Sequence, residues 1–252
     1  MSSFDLVANR FERYRALPIE VPVAIRQALR AHAGIDTADR LLEVGCGTGR
    51  IGAQFNAAGD NYFGLDLSIE MLRKFQRKQF ARGENLLHAD GCLLPFGDRI
   101  FTAVLMIHVL AAANWRGLLA EAQRVLQRGG VLAIGKTEPP PEGIDARMRN
   151  RLAELIAGMG IAESLPDHSA VREWLRARSS RHIEIRPVRW TLDRTPREFL
   201  LRKRTAARFG SLPAEVRETA LRSLADWTER SIGPLDRPFS ETHHFCLELH
   251  WF

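Results

Sequence analysis

Two rhythms of apolar and polar positions run through the first 140 residues of this 252-residue chain. Short apolar runs at Arg40–Val44, Tyr62–Leu67, Leu86–Ala89, Phe101–Ile107 and Val131–Gly135 read as strands. Phe101–Ile107 is apolar on both faces, which places it in the middle of a parallel sheet. Between the runs lie segments of helical period. Gly49–Ala58 stops at Gly59, and a second helix follows Ser68, a natural N-cap with Glu70 in the first turn, to about Ala81. A third, Trp115–Gln127, turns its apolar stripe through Leu118, Leu119, Ala122, Val125 and Leu126, and Gly129-Gly130 is expected to close it. Strands alternating with helices at this spacing predict βαβ crossovers and a doubly wound α/β sheet.

The flanks follow other patterns. Residues 5–33 read as helical, with breaks at Leu17-Pro18 and Val21-Pro22, because proline removes a donor and restricts the residue before it. At Glu138-Pro139-Pro140-Pro141 neither rhythm can continue. Beyond it, Ile144–Met159, Ser169–Arg178, a segment opening at Thr195-Pro196-Arg197-Glu198, and Pro213–Arg230 read as helices. Ile183–Leu192 and Thr242–Phe252 alternate as strands. The expected organisation is a helical lead-in or lid at 1–39, a Rossmann-like core at 40–138, and helical insertions with the last strands at 139–252.

Composition changes this picture little. With 45% hydrophobic and 26% charged residues the chain is ordinary globular protein. Its three cysteines (Cys46, Cys92, Cys246) form no CxxC pair, so neither a disulfide framework nor a metal site is expected, and a reduced, cytoplasmic compartment fits best. The longest apolar run, Phe101–Ala113, is interrupted by His108 and falls short of the ~20 residues a membrane span needs. No signal-peptide apolar region opens the chain, so no membrane partner is expected. Net charge is +6, and residues 172–208 hold twelve basic and four acidic residues. That stretch reads as a solvated, arginine-rich helical face or as a surface for an acidic substrate or nucleic acid.

The chemistry concentrates at Leu41-Leu42-Glu43-Val44-Gly45-Cys46-Gly47-Thr48-Gly49-Arg50. A strand runs into a glycine-rich turn that opens a helix, where glycines let the backbone approach a ligand and free N–H groups favour electron-rich atoms. Gly47-Thr48-Gly49-Arg50-Ile51-Gly52 also matches the dinucleotide fingerprint GxGxxG, but in the wrong frame: the strand delivers Gly45 to the turn, and the third position counted from it is Arg50. Glu43 before the turn would repel a pyrophosphate and suit a ligand carrying an ammonium group. Asp66 ends the second strand 21 residues after Gly45, where such folds hold a ribose diol. Asp90, in His88-Ala89-Asp90-Gly91-Cys92, ends the third strand, where a carboxylate can accept from an exocyclic adenine amine. Three acidic residues thus stand at three successive strand ends.

The blocks LLEVGCGTGR, YFGLDLSIEMLRKF, HADGCLLPFGDRIFTAVLMIHVL and EAQRVLQRGGVLAIGK, in this order, resemble the class I S-adenosylmethionine-dependent methyltransferases, the type 11 branch above all, over about residues 40–137. The resemblance implies a Rossmann-like doubly wound sheet of seven strands, the last antiparallel, with helical lid insertions. It implies S-adenosyl-L-methionine as cofactor and S-adenosyl-L-homocysteine as product. Glu43, Gly45 and Gly47 would line the methionine moiety, Asp66 the ribose and Leu67 the adenine. Asp90 and the Gly91 backbone would meet the adenine edge, and the backbone around Met106 the ammonium end. FERYRALP is similar to a lead-in of this branch, in which Tyr14 and Arg15 fold over the cofactor. The branch often carries an acidic residue after Phe101, where this chain has Thr102.

A sulfonium methyl is already activated, so transfer needs an aligned nucleophile and exclusion of water rather than a triad. A hydroxyl or carbon acceptor also needs a base, for which His108, after the fourth strand, is the candidate. His243 and His244 are adjacent in an alternating strand and point to opposite faces, so they do not read as joint metal ligands. Trp115 reads as a pocket wall or as a packing residue. A small-molecule acceptor is the favoured reading. An RNA or protein methyltransferase using residues 172–208, and a non-catalytic cofactor-binding regulator, are the alternatives; sparse aromatics (Trp174, Trp190, Phe199, Phe209) disfavour a base-stacking platform.

Overall fold

The structure, a computed structural model, describes residues 17–78, 85–110, 114–161, 168–204, 207–210 and 212–252. Helix α1 (Glu20–Ala33) leads in. The core follows as β1 (Arg40–Val44), α2 (Gly52–Ala57), β2 (Asn61–Asp66), α3 (Ile69–Gln76), β3 (Leu86–His88), β4 (Phe101–Ile107), α4 (Trp115–Val125) and β5 (Leu126–Glu138). The remainder is α5 (Ile144–Gly158), α6 (His168–Arg176), β6 (Arg181–Arg194), α7 (Pro196–Arg204), α8 (Ala207–Gly210), α9 (Ala214–Ser231) and β7 (Phe239–Trp251).

The strands form one seven-stranded sheet in the order β3-β2-β1-β4-β5-β7-β6. The first five are parallel, and β7 runs antiparallel to both β5 and β6. The order reverses between β1 and β4, and ligands of such sheets bind at that switch point, outside the carboxyl ends of the strands.

Both faces are covered. On one, α1 (Val21, Ile25, Leu29), Phe55 of α2 and Phe75 of α3 pack on Leu41, Leu105 and Phe245. On the other, Leu118, Leu119 and Val125 of α4 and Val171 and Leu175 of α6 cover Leu42, Val44, Val104 and Leu132. This two-sided burial is why β4 carries apolar residues almost without interruption. The inserted helices α5, α7 and α9 have a core of their own, with Ile144, Met148, Leu152 and Ile156 against Phe199, Leu221 and Leu224. Glu241 of β7 ties that lobe to the sheet. Its buried carboxylate accepts from the Ile144 N–H at the start of α5, where Gly143 offers no capping side chain. Its other oxygen lies 3.2 Å from His243 Nε2.

Several elements depart from the sequence expectation. No break falls at Val21-Pro22: Pro22 is the third residue of α1, where its missing N–H has no intrahelical acceptor to lose. Residues 47–51 form turns, so α2 begins only at Gly52. Helix α4 ends at Val125, before Gly129-Gly130, and β5 begins at Leu126. Gly129 does adopt a left-handed φ of 75°, but inside β5, beside a register shift against β4. Helix α3 ends at Gln76, with Arg77 as its C-cap, short of the expected end near Ala81, and the lead-in before Leu17 lies outside the described residues. The basic stretch 172–208 is not one helical face, because Arg181–Arg194 is the edge strand β6. Among the described residues no helix is long and apolar enough to cross a membrane.

Candidate functional site

The glycine turn follows from three left-handed positions: Gly45 (φ 75°), Gly47 (φ 56°) and Gly49 (φ 75°). Gly45 and Cys46 both donate backbone N–H to the Leu65 carbonyl, at 2.7 and 3.0 Å, which fastens the turn to β2. Asp66 completes the attachment. Its Oδ2 accepts from the Gly47 N–H at 2.8 Å and its Oδ1 from the Ser68 N–H at 2.8 Å. One carboxylate therefore holds both the turn of β1 and the start of α3, where the Ser68 hydroxyl accepts from the Met71 N–H. Among the described residues, a Cβ built on Gly47 would meet only Asp66 Oδ2, 4.0 Å away, so their side of the turn leaves room for a ligand.

The out-of-frame fingerprint glycine has a different cause. A Cβ on Gly52 would lie 2.1 Å from the Tyr62 hydroxyl oxygen and 2.9 Å from the Phe75 ring. Gly52 is thus demanded by the ring of a buried tyrosine and not by a phosphate. Gly52→Ala is expected to destabilise the fold by about 3 kcal/mol, the upper range for overpacking. Urea unfolding measures this, and a loss below about 1 kcal/mol would contradict the packing argument.

Beneath the turn, Glu43 is 2% exposed and accepts a 2.6 Å hydrogen bond from Tyr62 Oη. Burial pushes its carboxyl up to about 8, against the opposing effects of the Tyr62 hydrogen bond and the nearby Arg50 charge. The Tyr62 hydroxyl and the Cys46 thiol are likewise held well above their usual ranges, chiefly by burial. Glu43 is therefore a neutral, proton-sharing support under the turn at neutral pH. Glu43, expected to line the methionine portion of the cofactor, thus sits buried beneath the turn with Tyr62 as a hydrogen-bond partner.

At the end of β3, Asp90 is exposed, and its Oδ1 accepts from the Cys92 N–H at 2.8 Å, which shapes the turn. Gly91 is buried because a Cβ there would lie 2.7 Å from both Val44 and Leu118 side chains. Two large apolar side chains stand out to solvent at these strand ends, Leu67 at 55% and Leu93 at 78%. Leu93 carried no signal in the sequence, since a single leucine in a polar loop has no period. The Met106 side chain is fully buried in the α4-side core, which leaves only its backbone near the cleft.

His108, just past β4, is exposed and holds a left-handed φ of 60°, rare for a non-glycine residue and a mark of functional positions. Its backbone N–H donates to the Gly135 carbonyl at 2.9 Å. Its Nε2 lies 3.3 Å from Thr137 Oγ1, and its ring meets Phe245 edge-on at 6.2 Å. Thr137 was not singled out in the sequence; its role arises only from the β4–β5 pairing. Trp115 is 7% exposed in the α4-side core, so it packs rather than walls a pocket. Tyr14 and Arg15 lie outside the described residues. Glu43, Gly45, Gly47, Asp66, Leu67, Asp90 and Gly91 thus gather at the ends of β1, β2 and β3, with His108 and the Met106 backbone beside them at β4.

This sheet order, with a glycine turn at the first strand and carboxylates at the next two strand ends, defines a Rossmann-like fold. Residues 42–134 match the family model for the methyltransferase domain. Among curated proteins, a demethylmenaquinone methyltransferase of Tropheryma whipplei is 33% identical over 143 residues, covering 54% of this chain and 58% of that protein. The chain spans 39–61% of the length of this and two other curated relatives that it matches. Among solved structures, YcgJ of Bacillus subtilis superposes with a TM-score of 0.59 at 18% identity, over 90% of this chain and 97% of that one. Geranyl diphosphate C-methyltransferase of Streptomyces coelicolor, solved with S-adenosyl-L-homocysteine, gives a TM-score of 0.51 at 17% identity, over 91% and 78%. Both likenesses bear on the fold.

Proposed function

We propose that the protein is an S-adenosylmethionine-dependent methyltransferase that methylates a small molecule by in-line displacement. The observation that carries this reading is the Asp66 carboxylate bound to the Gly47 N–H, next to an open glycine turn, within a matched methyltransferase domain. The residues fit the nucleoside. Asp66 presents its carboxylate where a ribose diol would donate, Leu67 and Leu93 offer exposed apolar faces for an adenine, and Asp90 accepts from its amine. Gly45 and Gly47 let the methionine portion approach the backbone, and the Met106 backbone faces the same cleft. The bound cofactor supplies a methyl group already activated by its sulfonium.

This chain's own residues position and deprotonate. His108 is the base for a hydroxyl or carbon acid, and Thr137 fixes its Nε2. Its turn conformation sets the ring at the end of β4 against Phe245. His108→Asn keeps a residue that tolerates a left-handed φ. Methyl transfer is expected to fall ~100-fold in this variant with cofactor affinity unchanged. Equal turnover in the two proteins would remove His108 from the chemistry.

A small acceptor is favoured over RNA by the state of the basic stretch. Arg186 pairs with Glu138 and Glu184, Arg197 with Asp236, Arg202 with Asp145 and Arg204 with Glu218. Arg178 and Arg181 lie over the rings of Trp174 and Trp251. Six of the twelve basic residues of this stretch are thus engaged within the protein. Incubating the protein with S-adenosylmethionine labelled in its methyl group and a fractionated cell extract tests the reading. Label in a low-molecular-weight fraction supports it; label confined to RNA or protein, or none at all, overturns it.

A further inference from the structure

Beyond the cofactor cleft, the pairing of β6 with β7 gathers a second group of chemistry-bearing side chains on one face of the sheet. His182 lies opposite His250, and Glu184 opposite Glu248, with Cys246 next on the same face of β7. Ligand atoms of Glu184, Cys246 and Glu248 all lie within 4.8 Å of one another. His250 is 2% exposed; among the described residues its Nδ1 has no hydrogen-bond partner, and its Nε2 stands 3.5 Å from Glu248 Oε2. It lines, with Glu184 and Glu248, a cavity of about 130 Å³ beneath α6.

We propose that this face holds a thiophilic divalent cation of the zinc class, with Cys246 Sγ, one oxygen each of Glu184 and Glu248, and the His250 imidazole as ligands. Four features point there. Two carboxylates sit directly opposite across an antiparallel ladder, an arrangement that is destabilising for like charges. A thiol is buried beside them. An imidazole nitrogen is buried without a partner, a costly state for a polar atom. The donor set, one sulfur, one imidazole and two carboxylates, is one that zinc accepts in tetrahedral geometry. Ligand atoms around zinc stand roughly 3.5 Å apart, as its bond lengths require, so drawing the Glu184, Cys246 and Glu248 atoms together from within 4.8 Å needs shifts of about 1 Å, with the His250 ring turning in beside Glu248.

The position gives the site its role. Strand β7 is three places from β1 in the sheet, roughly 14 Å at ordinary strand spacing, so the ion would clamp the C-terminal strand to the edge strand without touching the glycine turn. The sequence carried no trace of it, because Glu184 and Cys246 are 62 residues apart and only the ladder register joins them. Arg172 and Arg176 of α6 also line the cavity, and Arg186 pairs with Glu184 at 2.9 Å. Guanidinium groups are therefore the competing way to neutralise the two carboxylates.

Titrating the untagged, metal-stripped full chain with Co²⁺ separates the two. One equivalent is expected to produce near-ultraviolet thiolate-to-cobalt absorption that Zn²⁺ abolishes. Cys246→Ser should remove the band and Cys92→Ser should keep it. Glu184→Gln, at an exposed position where folding is safe, should weaken Co²⁺ affinity at least tenfold. Absence of the band, or a band that survives in Cys246→Ser or is indifferent to Glu184→Gln, overturns the site. The proposal stands independently of the methyltransferase reading, since cofactor binding is not part of its readout.

Discussion

Replacing Asp66 by alanine is expected to weaken binding of both S-adenosylmethionine and S-adenosylhomocysteine about 100-fold. The carboxylate accepts two backbone N–H groups, from Gly47 and Ser68, each at 2.8 Å. In the proposed complex it also accepts from the ribose. A hydrogen bond to a charged group contributes ~1.5–3 kcal/mol. Losing the ribose contact alone therefore costs about 10- to 100-fold, and loss of the attachment that pre-shapes the turn moves the effect to the upper end. The two nucleosides share the ribose, so both should suffer equally. Asp66→Asn should lose about tenfold, because an amide must direct its own N–H groups toward one of the donors. Calorimetric titration reads these constants; affinities within threefold of the parent protein would remove Asp66 from the site.

A second large effect concerns pH. The buried Glu43 carboxyl is raised to about 8 from an ordinary value near 4.5. The folded protein therefore holds a proton that the unfolded chain releases above pH ~4.5. Stability contributed by this group is full below that value, falls as pH rises, and is gone once pH passes about 8. Between pH 5.5 and 8 the loss is about 3 kcal/mol, at ~1.4 kcal/mol per pH unit. Glu43→Gln keeps an acceptor for the Tyr62 hydroxyl and cannot titrate. Urea unfolding at the two pH values should show a slope in the parent protein that is ~3 kcal/mol steeper than in Glu43→Gln. At pH 8 the variant should be the more stable of the two. Equal slopes would mean that Glu43 is ionised in the fold at neutral pH.

Much of this architecture was legible in the chain because parallel strands buried on both faces leave dense apolar runs. Phe101–Ile107 and Arg40–Val44 were read to the residue for that reason. Asp66 and Asp90 were also legible, since strand ends in this topology must converge on one edge. What escaped depends on contacts distant in sequence. The packing demand on Gly52 comes from Tyr62 and Phe75, and the local pattern GxGxxG disguised it. The Tyr62 hydroxyl that donates to Glu43 has no signal near Glu43 in the sequence. Helix α4 was drawn too long because Leu126 continues the helical stripe, yet its backbone pairs with Phe101 instead. The lobe's attachment through Glu241 joins residues 97 positions apart and has no local signature.

The most direct test is a titration of the purified chain with S-adenosylmethionine, S-adenosylhomocysteine, NAD and FAD, each separately. The geometry of the glycine turn and the Asp66 carboxylate predicts saturable one-to-one binding of the first two, weakened together in Asp66→Ala, and none of the dinucleotides. Uptake of NAD or FAD with indifference to both sulfur nucleosides would contradict it.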